Sequence, residues 1–227
     1  MKRIMVFGAG GRAGQRVVTE ALARGHEVTA VVRSPIKYRA LGERPNLVYA
    51  AGDAMRPDSV YSLSIGHDAV VSTVYDAELA PGRFFGEVAR ALVGGLNRAG
   101  VSRLVTVGIG SALETVPGVA VHDAADFPAE YREFSVGHAV EIDVFQKAGE
   151  WLDWVVVTPP PVLLDADAEP TGRYRVSVGN RMLPQDPDPD PDAAPFSYAD
   201  LATALVDEAV DLHHHRTVVA VDSGLPS

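Results

Sequence analysis

The stretch "VFGAGGRAGQRV", Val6 to Val17, constrains the fold more than any other part of the chain. It joins an apolar strand signal, a run of small residues and the start of an amphipathic helical pattern. Two spacings fit it. Gly8, Gly10 and Ala13 match G-x-G-x-x-A, while Gly8, Gly11 and Gly14 match G-x-x-G-x-x-G. Both describe a turn that leads from a strand into a bare helix N-terminus. The first N–H groups of a helix have no intrahelical partner, and the helix dipole adds partial positive charge there. A pyrophosphate fits such an end when no side chain blocks its approach. On this reading Gly8 makes the tight turn, Gly10 and Gly11 keep the loop bare, and Gly14 lets the helix pack close to the sheet. Dinucleotide binding is the expectation.

The rest of the chain repeats strand and helix signals in alternation. Short β-branched runs occur at Ile4–Phe7, Val28–Val32, Leu47–Ala50, Ala69–Val71, Leu104–Val107 and Trp154–Val157. Helical patterns run through Val17–Leu22, from Pro57, over Phe84–Ala99 and over Val136–Gly149. The strand runs lack polar alternation, as expected when both faces are covered. The prediction is an α/β fold, a doubly wound (Rossmann) and mostly parallel sheet with helices on both faces. Beyond Pro161, "GRYRVSVGNRML" alternates and reads as a hairpin turning at Gly179-Asn180. "SYADLATALVDEAV" reads as a helix capped by Ser197, and "RTVVAV" as a last strand. Residues 1–227 are expected to form one domain, with 162–227 a substrate-side elaboration. The "DPDPDPD" run from Asp186 to Asp192 is read as an extended, solvated loop, with an acidic lid as its sharper alternative.

The end of the second strand run selects among dinucleotides. An Asp or Glu there accepts from the ribose 2′-OH of NAD. Here the segment reads "AVVRSP", with no acid from Val28 to Tyr38. Arg33, Ser34 and Lys37 cluster instead, and Arg12 sits in the glycine loop. Such donors suit a 2′-phosphate, which an acid would repel, so NADP(H) is the expected cofactor. Asp53 with the Ala54 N–H is expected at the adenine. Ser72, Thr73 and Val74 are expected along the ribose and pyrophosphate. All lie at strand C-termini, where open α/β sheets bind ligands.

Composition narrows the partners. The formal net charge is −10, which opposes nucleic-acid binding. No apolar run approaches the roughly 18 residues of a membrane span, and Ile4–Phe7 is too short for a signal-peptide core. There is no cysteine, hence no thiolate nucleophile or Cys-based metal site. These features lead to the expectation of a cytoplasmic monomer or homodimer that neither enters a membrane nor binds nucleic acid. His213–His215 is not expected to chelate, because consecutive side chains on extended backbone face opposite ways. No metal is expected.

Taken in order, "IMVFGAGGRAG", "VVRSP", "GDAMRPDSV", "DAVVSTV", "RLVTVGIGSAL", "WLDWVVVTPPPVL", "TGRYRV" and "FSYADLATALVDE" resemble the atypical short-chain dehydrogenase/reductase superfamily. The likeness is to its NAD(P)H-binding branch, which includes flavin/biliverdin-reductase-like and nitrogen-metabolite-repressor-like proteins. The resemblance favours the wider glycine spacing, with Gly10 in place of the branch's usual threonine. It also implies that Ser111 lines the nicotinamide pocket. The histidine that such relatives carry after the sixth strand is absent, and Pro161 stands near that place.

Typical short-chain dehydrogenases use Tyr-x-x-x-Lys, in which the lysine lowers the tyrosine pKa. The lysines here are Lys2, Lys37 and Lys147. Asp143 stands four residues before Lys147, and Ser135 four after Tyr131. The pair is absent. Ser111 is the first candidate for a catalytic donor and Tyr131 the second. A flavin or quinone can also take hydride with a proton from solvent, so such an enzyme needs mainly to bind and orient. Three functions stay open: an NADPH-dependent reductase of a small flat acceptor such as a flavin or quinone, a non-enzymatic NADP(H)-binding redox sensor, and an NAD(P)-dependent epimerase-like isomerase.

Overall fold

The computed structural model describes residues 1–36, 44–161, 164, 168–184 and 196–223. Lys37 and the Asp186–Asp192 repeat lie outside these described residues. The sheet takes β1 (Arg3–Phe7), β2 (Glu27–Val32), β3 (Leu47–Ala51), β4 (Ala69–Ser72) and β5 (Arg103–Val107) in chain order. A small ribbon of β6 (Glu114–Val116) and β7 (Val119–Ala120) follows. The sheet then resumes with β8 (Asp153–Thr158), β9 (Arg175–Val178) and β10 (Thr217–Asp222). The helices are α1 (Arg12–Ala23), α2 (Pro57–Ser64), α3 (Pro81–Ala99), α4 (Ala129–Lys147) and α5 (Tyr198–Asp211).

The eight strands lie in the order β3-β2-β1-β4-β5-β8-β10-β9, all parallel except β9. The chain runs outward from β1 through β2 to β3, then returns to place β4 on the other side of β1. That reversal opens a crevice at the carboxyl ends of β1 and β4, where doubly wound sheets hold their ligands. Alternate residues of β1 serve two cores. Ile4 and Val6 pack with Val17, Ala21, Leu201 and Leu205 under α1 and α5. Met5 and Phe7 pack with Val60, Leu92, Leu96 and Phe145 under α2, α3 and α4. Coverage of both faces explains why these strands carry no polar alternation.

Helix α1 lies unusually close to β1. A Cβ added at Gly14 would stand 2.2 Å from the Gly8 carbonyl oxygen and 2.8 Å from Ala9 Cα. Those atoms are backbone and cannot turn aside. At the opposite end of the sheet Arg103 is almost fully buried, at 3% exposure. Its Nε and Nη2 donate to the Glu208 carbonyl at 2.9 and 2.6 Å, and Nη1 donates to the His214 carbonyl at 2.9 Å. The Glu208 and Asp153 carboxylates lie 3.1 and 3.0 Å from the same guanidinium. This cluster fastens α5 and the start of β10 beneath β5.

Two segments depart from the sequence reading. "GRYRVSVGNRML" does not fold back on itself. Its first half forms β9 and pairs antiparallel with β10, Val178 opposite Val219 and Arg175 opposite Asp222. After Gly179, at φ 96°, the chain turns away, and the Asn180 carbonyl accepts from the Glu114 N–H at 2.7 Å. The alternation is that of a strand, but its partner is the open edge of β10. Helix α4 begins at Ala129, seven residues before the expected Val136, because Pro128 supplies a preset start.

Three outcomes follow from these contacts. Gly14→Ala should cost about 1–3 kcal/mol in urea unfolding, through overpacking against backbone. Arg103→Ala should cost about 3 kcal/mol or more, by leaving Glu208 buried without its cation, and Arg103→Lys should restore little of it. His67, whose Nε2 lies 2.9 Å from Thr29 Oγ1, has its pKa lowered from 6.5 chiefly by burial. A depressed value means that its contribution to stability is present above the unfolded pKa and is lost as pH falls through the folded one. The unfolding midpoint should therefore decline below about pH 6.5, and His67→Gln should flatten that decline.

Candidate functional site

The crevice between β1 and β4 is a groove of about 680 Å³. That volume lies within the range of about 300–1,000 Å³ typical of small-molecule and cofactor sites. Its floor is the glycine loop. Gly8, at φ 79°, turns the chain out of β1, and a Cβ there would meet the Thr73 backbone at 2.8 Å. Gly11 is the N-cap of α1 and offers no side chain to close the helix end. A Cβ at Gly11 would meet nothing nearer than 3.4 Å, so its bareness serves the groove rather than packing. Gly10, Arg12 and Ala13 line the groove beside Gly8 and Gly11. Gly14 is buried beneath the loop. The three glycines of the wider spacing thus have three separate geometric tasks: turn, open cap and close approach.

The side walls come from the ends of neighbouring strands. Arg33 and Ser34 follow β2, and Asp53 and Ala54 follow β3. The Asp53 carboxylate accepts from the Met55 N–H at 2.9 Å, and the Asp53 N–H donates to Ser59 Oγ at 3.0 Å, so this acid sits in a defined turn. Thr73 and Val74 follow β4 and line the groove. Thr73 Oγ1 lies 3.2 Å from both the Phe7 and Gly8 carbonyls, which commits this hydroxyl to holding the loop. Ser72 is buried within β4 between Phe7 and Thr106 and does not line the groove.

Among the groove residues that escaped the sequence reading are two tyrosines and an aspartate. Tyr75 and Asp76 follow Val74, and Tyr198 opens α5. Asp76 pairs with Arg33 at 3.0 Å, joining the loops after β2 and β4, the strands that flank β1. Tyr75 is half exposed; it stacks on Phe85 and meets Phe134 edge-on at 5.0 Å between centroids. A tyrosine directly after a strand-end Thr-Val was a readable signal for Tyr75. Nothing local marks Asp76 or Tyr198, because the neighbours that bring them in are distant in sequence.

The two candidate catalytic residues lie elsewhere. Ser111 sits in a short 3-10 turn, Gly110–Ala112, after β5. Its Oγ lies 3.0 Å from Ser135 Oγ, and Ser135 Oγ lies 2.7 Å from His122 Nδ1. The sequence reading did not single out Ser135 or His122 as functional. Tyr131 is in the first turn of α4, 61% exposed, and is not among the residues lining the groove. In the histidine run, His214 Nδ1 contacts Glu208 and His215 Nδ1 contacts Asp153, so the two rings engage different carboxylates.

The donor set of the groove fits a dinucleotide. An uncapped helix end faces it from below with Arg12 beside it, Arg33 stands at the β2 side, and an aromatic ring stands at the β4 side. Comparison with known proteins agrees. Residues 8–211 match the NAD(P)H-binding family. YwnB of Bacillus subtilis, itself uncharacterized, is 29% identical over 220 residues, covering 93% of this chain and 94% of its own. A protein of Burkholderia pseudomallei described as exported is 30% identical, with a TM-score of 0.82 over 98% of this chain and 100% of its own. A candidate NADH-flavin reductase of Streptococcus pneumoniae is 26% identical, with a TM-score of 0.79 over 99% of this chain and 100% of its own. Among the described residues no helix is long and apolar enough to cross a membrane. By its fold, its glycine loop and this match over most of its length, the chain belongs to the NAD(P)H-binding family.

Proposed function

We propose that this protein is an NADPH-dependent reductase that passes hydride to a small flat acceptor, a flavin or a quinone. The observation that carries the choice of NADPH is the convergence of Arg12, Arg33 and Ser34 on one groove. β2 ends without an acid that would take a ribose 2′-OH. Arg33 is engaged with Asp76, but its side chain is 83% exposed. An ion pair so open to water contributes about 0–1 kcal/mol, so a dianionic 2′-phosphate can exchange for it at little cost.

The bound cofactor would supply the hydride and hence two electrons. The chain's own work is to bind and orient. The first-turn N–H groups of α1 and the bare Gly10-Gly11 loop receive the pyrophosphate, with Asp53 and Ala54 at the adenine side. Thr73 and Val74 border the path toward the nicotinamide. Tyr75 offers an exposed aromatic face beside that path, which suits a flat conjugated acceptor. The name of the Streptococcus pneumoniae relative supports a flavin as one such acceptor.

Two measurements test the reading. NADPH should bind more tightly than NADH, and Arg33→Asp should weaken NADPH binding by about tenfold or more while leaving NADH nearly unchanged, as loss of a charge-assisted contact implies. Equal losses for both would overturn the cofactor choice. Mixing the protein with NADPH and a panel of flavins and quinones should bleach the reduced-nicotinamide absorbance. Tight binding without turnover on any acceptor would make the protein a sensor of NADP(H) instead.

A further inference from the structure

Ser111, Ser135 and His122 form a hydrogen-bonded chain whose direction is set by one carbonyl group. His122 Nδ1 lies 2.9 Å from the Ser111 carbonyl oxygen as well as 2.7 Å from Ser135 Oγ. A carbonyl oxygen only accepts, so this contact places the imidazole proton on Nδ1. Nδ1–H then donates to the carbonyl and to Ser135 Oγ. A hydroxyl accepts and donates at once, so the Ser135 hydrogen is left for Ser111 Oγ, 3.0 Å away. The Ser111 hydrogen is then left to point out of the cluster.

The surroundings hold this arrangement in place. Ser135 is fully buried on α4. Arg132 donates to the carbonyls of His122, Ala124 and Phe127 and so fixes the loop that carries the imidazole. The far side of the ring, at Nε2, lies 3.8 Å from Asp123 Oδ1, and the Asp123 side chain is half exposed. The chain therefore runs from an imidazole edge beside a half-exposed carboxylate, through a buried hydroxyl, to a turn at the carboxyl end of β5. Phe134, next to Ser135, meets Tyr75 in the groove wall, so the cluster lies one aromatic contact from the groove.

Resting on the reductase reading above, we propose that His122 and Ser135 relay a proton from solvent to Ser111, which donates it to an oxygen of a quinone-class acceptor. Reduction of a quinone by hydride leaves an anionic oxygen that takes one proton. Ser111 Oγ gives up its hydrogen to that oxygen and takes one from Ser135 Oγ. Water protonates His122 at Nε2, and the imidazolium so formed gives its Nδ1 hydrogen to Ser135. One proton enters and one reaches the product, which leaves the imidazole as its Nε2–H tautomer; proton exchange with water then returns it to the Nδ1–H form and resets the cluster before the next turnover. Ser111 is the catalytic residue in this scheme, and Ser135 and His122 are positioning residues that pass the proton through it.

The test uses the full chain with NADPH and 2-methyl-1,4-naphthoquinone. Ser135→Ala and His122→Asn should each lower kcat about 10²-fold with KM and NADPH affinity unchanged. Asn keeps a donor near the position of Nδ1 but cannot take a proton at its far end, so a merely structural histidine would be rescued by it. Nitrogen-15 NMR of the imidazole, recorded without acceptor, should show the His122 proton on Nδ1. Full kcat in both variants while Ser111→Ala is impaired would overturn the relay and leave the reductase reading intact. A proton found on Nε2 would also overturn the relay. Failure of the wild-type protein to bind NADPH, or to reduce any acceptor, would remove the reductase reading and the relay with it.

Discussion

The approach of α1 to β1 at Gly14 is the contact on which the groove depends. The helix axis is set by how near its first turn can come to the strand, and only a hydrogen fits between them. A methyl group there would meet backbone oxygen at 2.2 Å. Pushed outward, the helix would carry its free N–H groups away from the point where β1 and β4 part. The sheet reversal makes the crevice, but this close contact aims the helix end into it. The glycine spacing matters through that geometry, since Gly8, Gly11 and Gly14 each answer a different steric demand.

Charge in the groove is arranged around the same point. The global balance is acidic, yet Arg12 and Arg33 line the groove into which the uncapped end of α1 opens. Asp76 neutralises one of them across the exit of β1. Such an exposed pair keeps a basic patch from standing open without making it hard to reach. At the other end of the wall the chemistry changes to rings. Tyr75 stacks on Phe85, and the other contacts among Tyr75, Phe84, Phe85 and Phe134 are edge to face. That gives one stretch of groove suited to phosphate and another suited to a conjugated ring.

Much of the fold is legible in the sequence because it is written in local patterns. The six β-branched runs from Ile4 to Val157 all became parallel strands; β1, β4, β5 and β8 are covered on both faces, while β3 at the sheet edge leaves Val48 exposed. Ser197 caps α5, its Oγ accepting from the Asp200 N–H at 3.0 Å. What local pattern cannot carry is the identity of a distant partner. The alternation of Arg175–Val178 states that a strand exists, not that it pairs with β10. The same limit applies to the site. That Arg12 and Arg33 line the groove could be read from the glycine loop and the end of β2 that bear them. His122 and Ser135 stand 11 and 24 residues from Ser111 and meet it only through the packing of α4 against the Gly110–Ala112 turn.

The buried guanidinium of Arg103 has a consequence for how the chain is made. Its carboxylate partners are Asp153 and Glu208, and the second lies 105 residues further along. During synthesis the first five strands and three helices can exist before either acid has been added. Until they arrive, this cation has no buried counterion and must stay in contact with water. β5 therefore cannot settle into its final environment while the carboxyl-terminal helix is missing. Contacts of such long sequence separation form late and slow the overall reaction. The nucleotide-binding half is expected to be assembled first, and completion of the chain then closes the far end of the sheet over a charge that has waited for it.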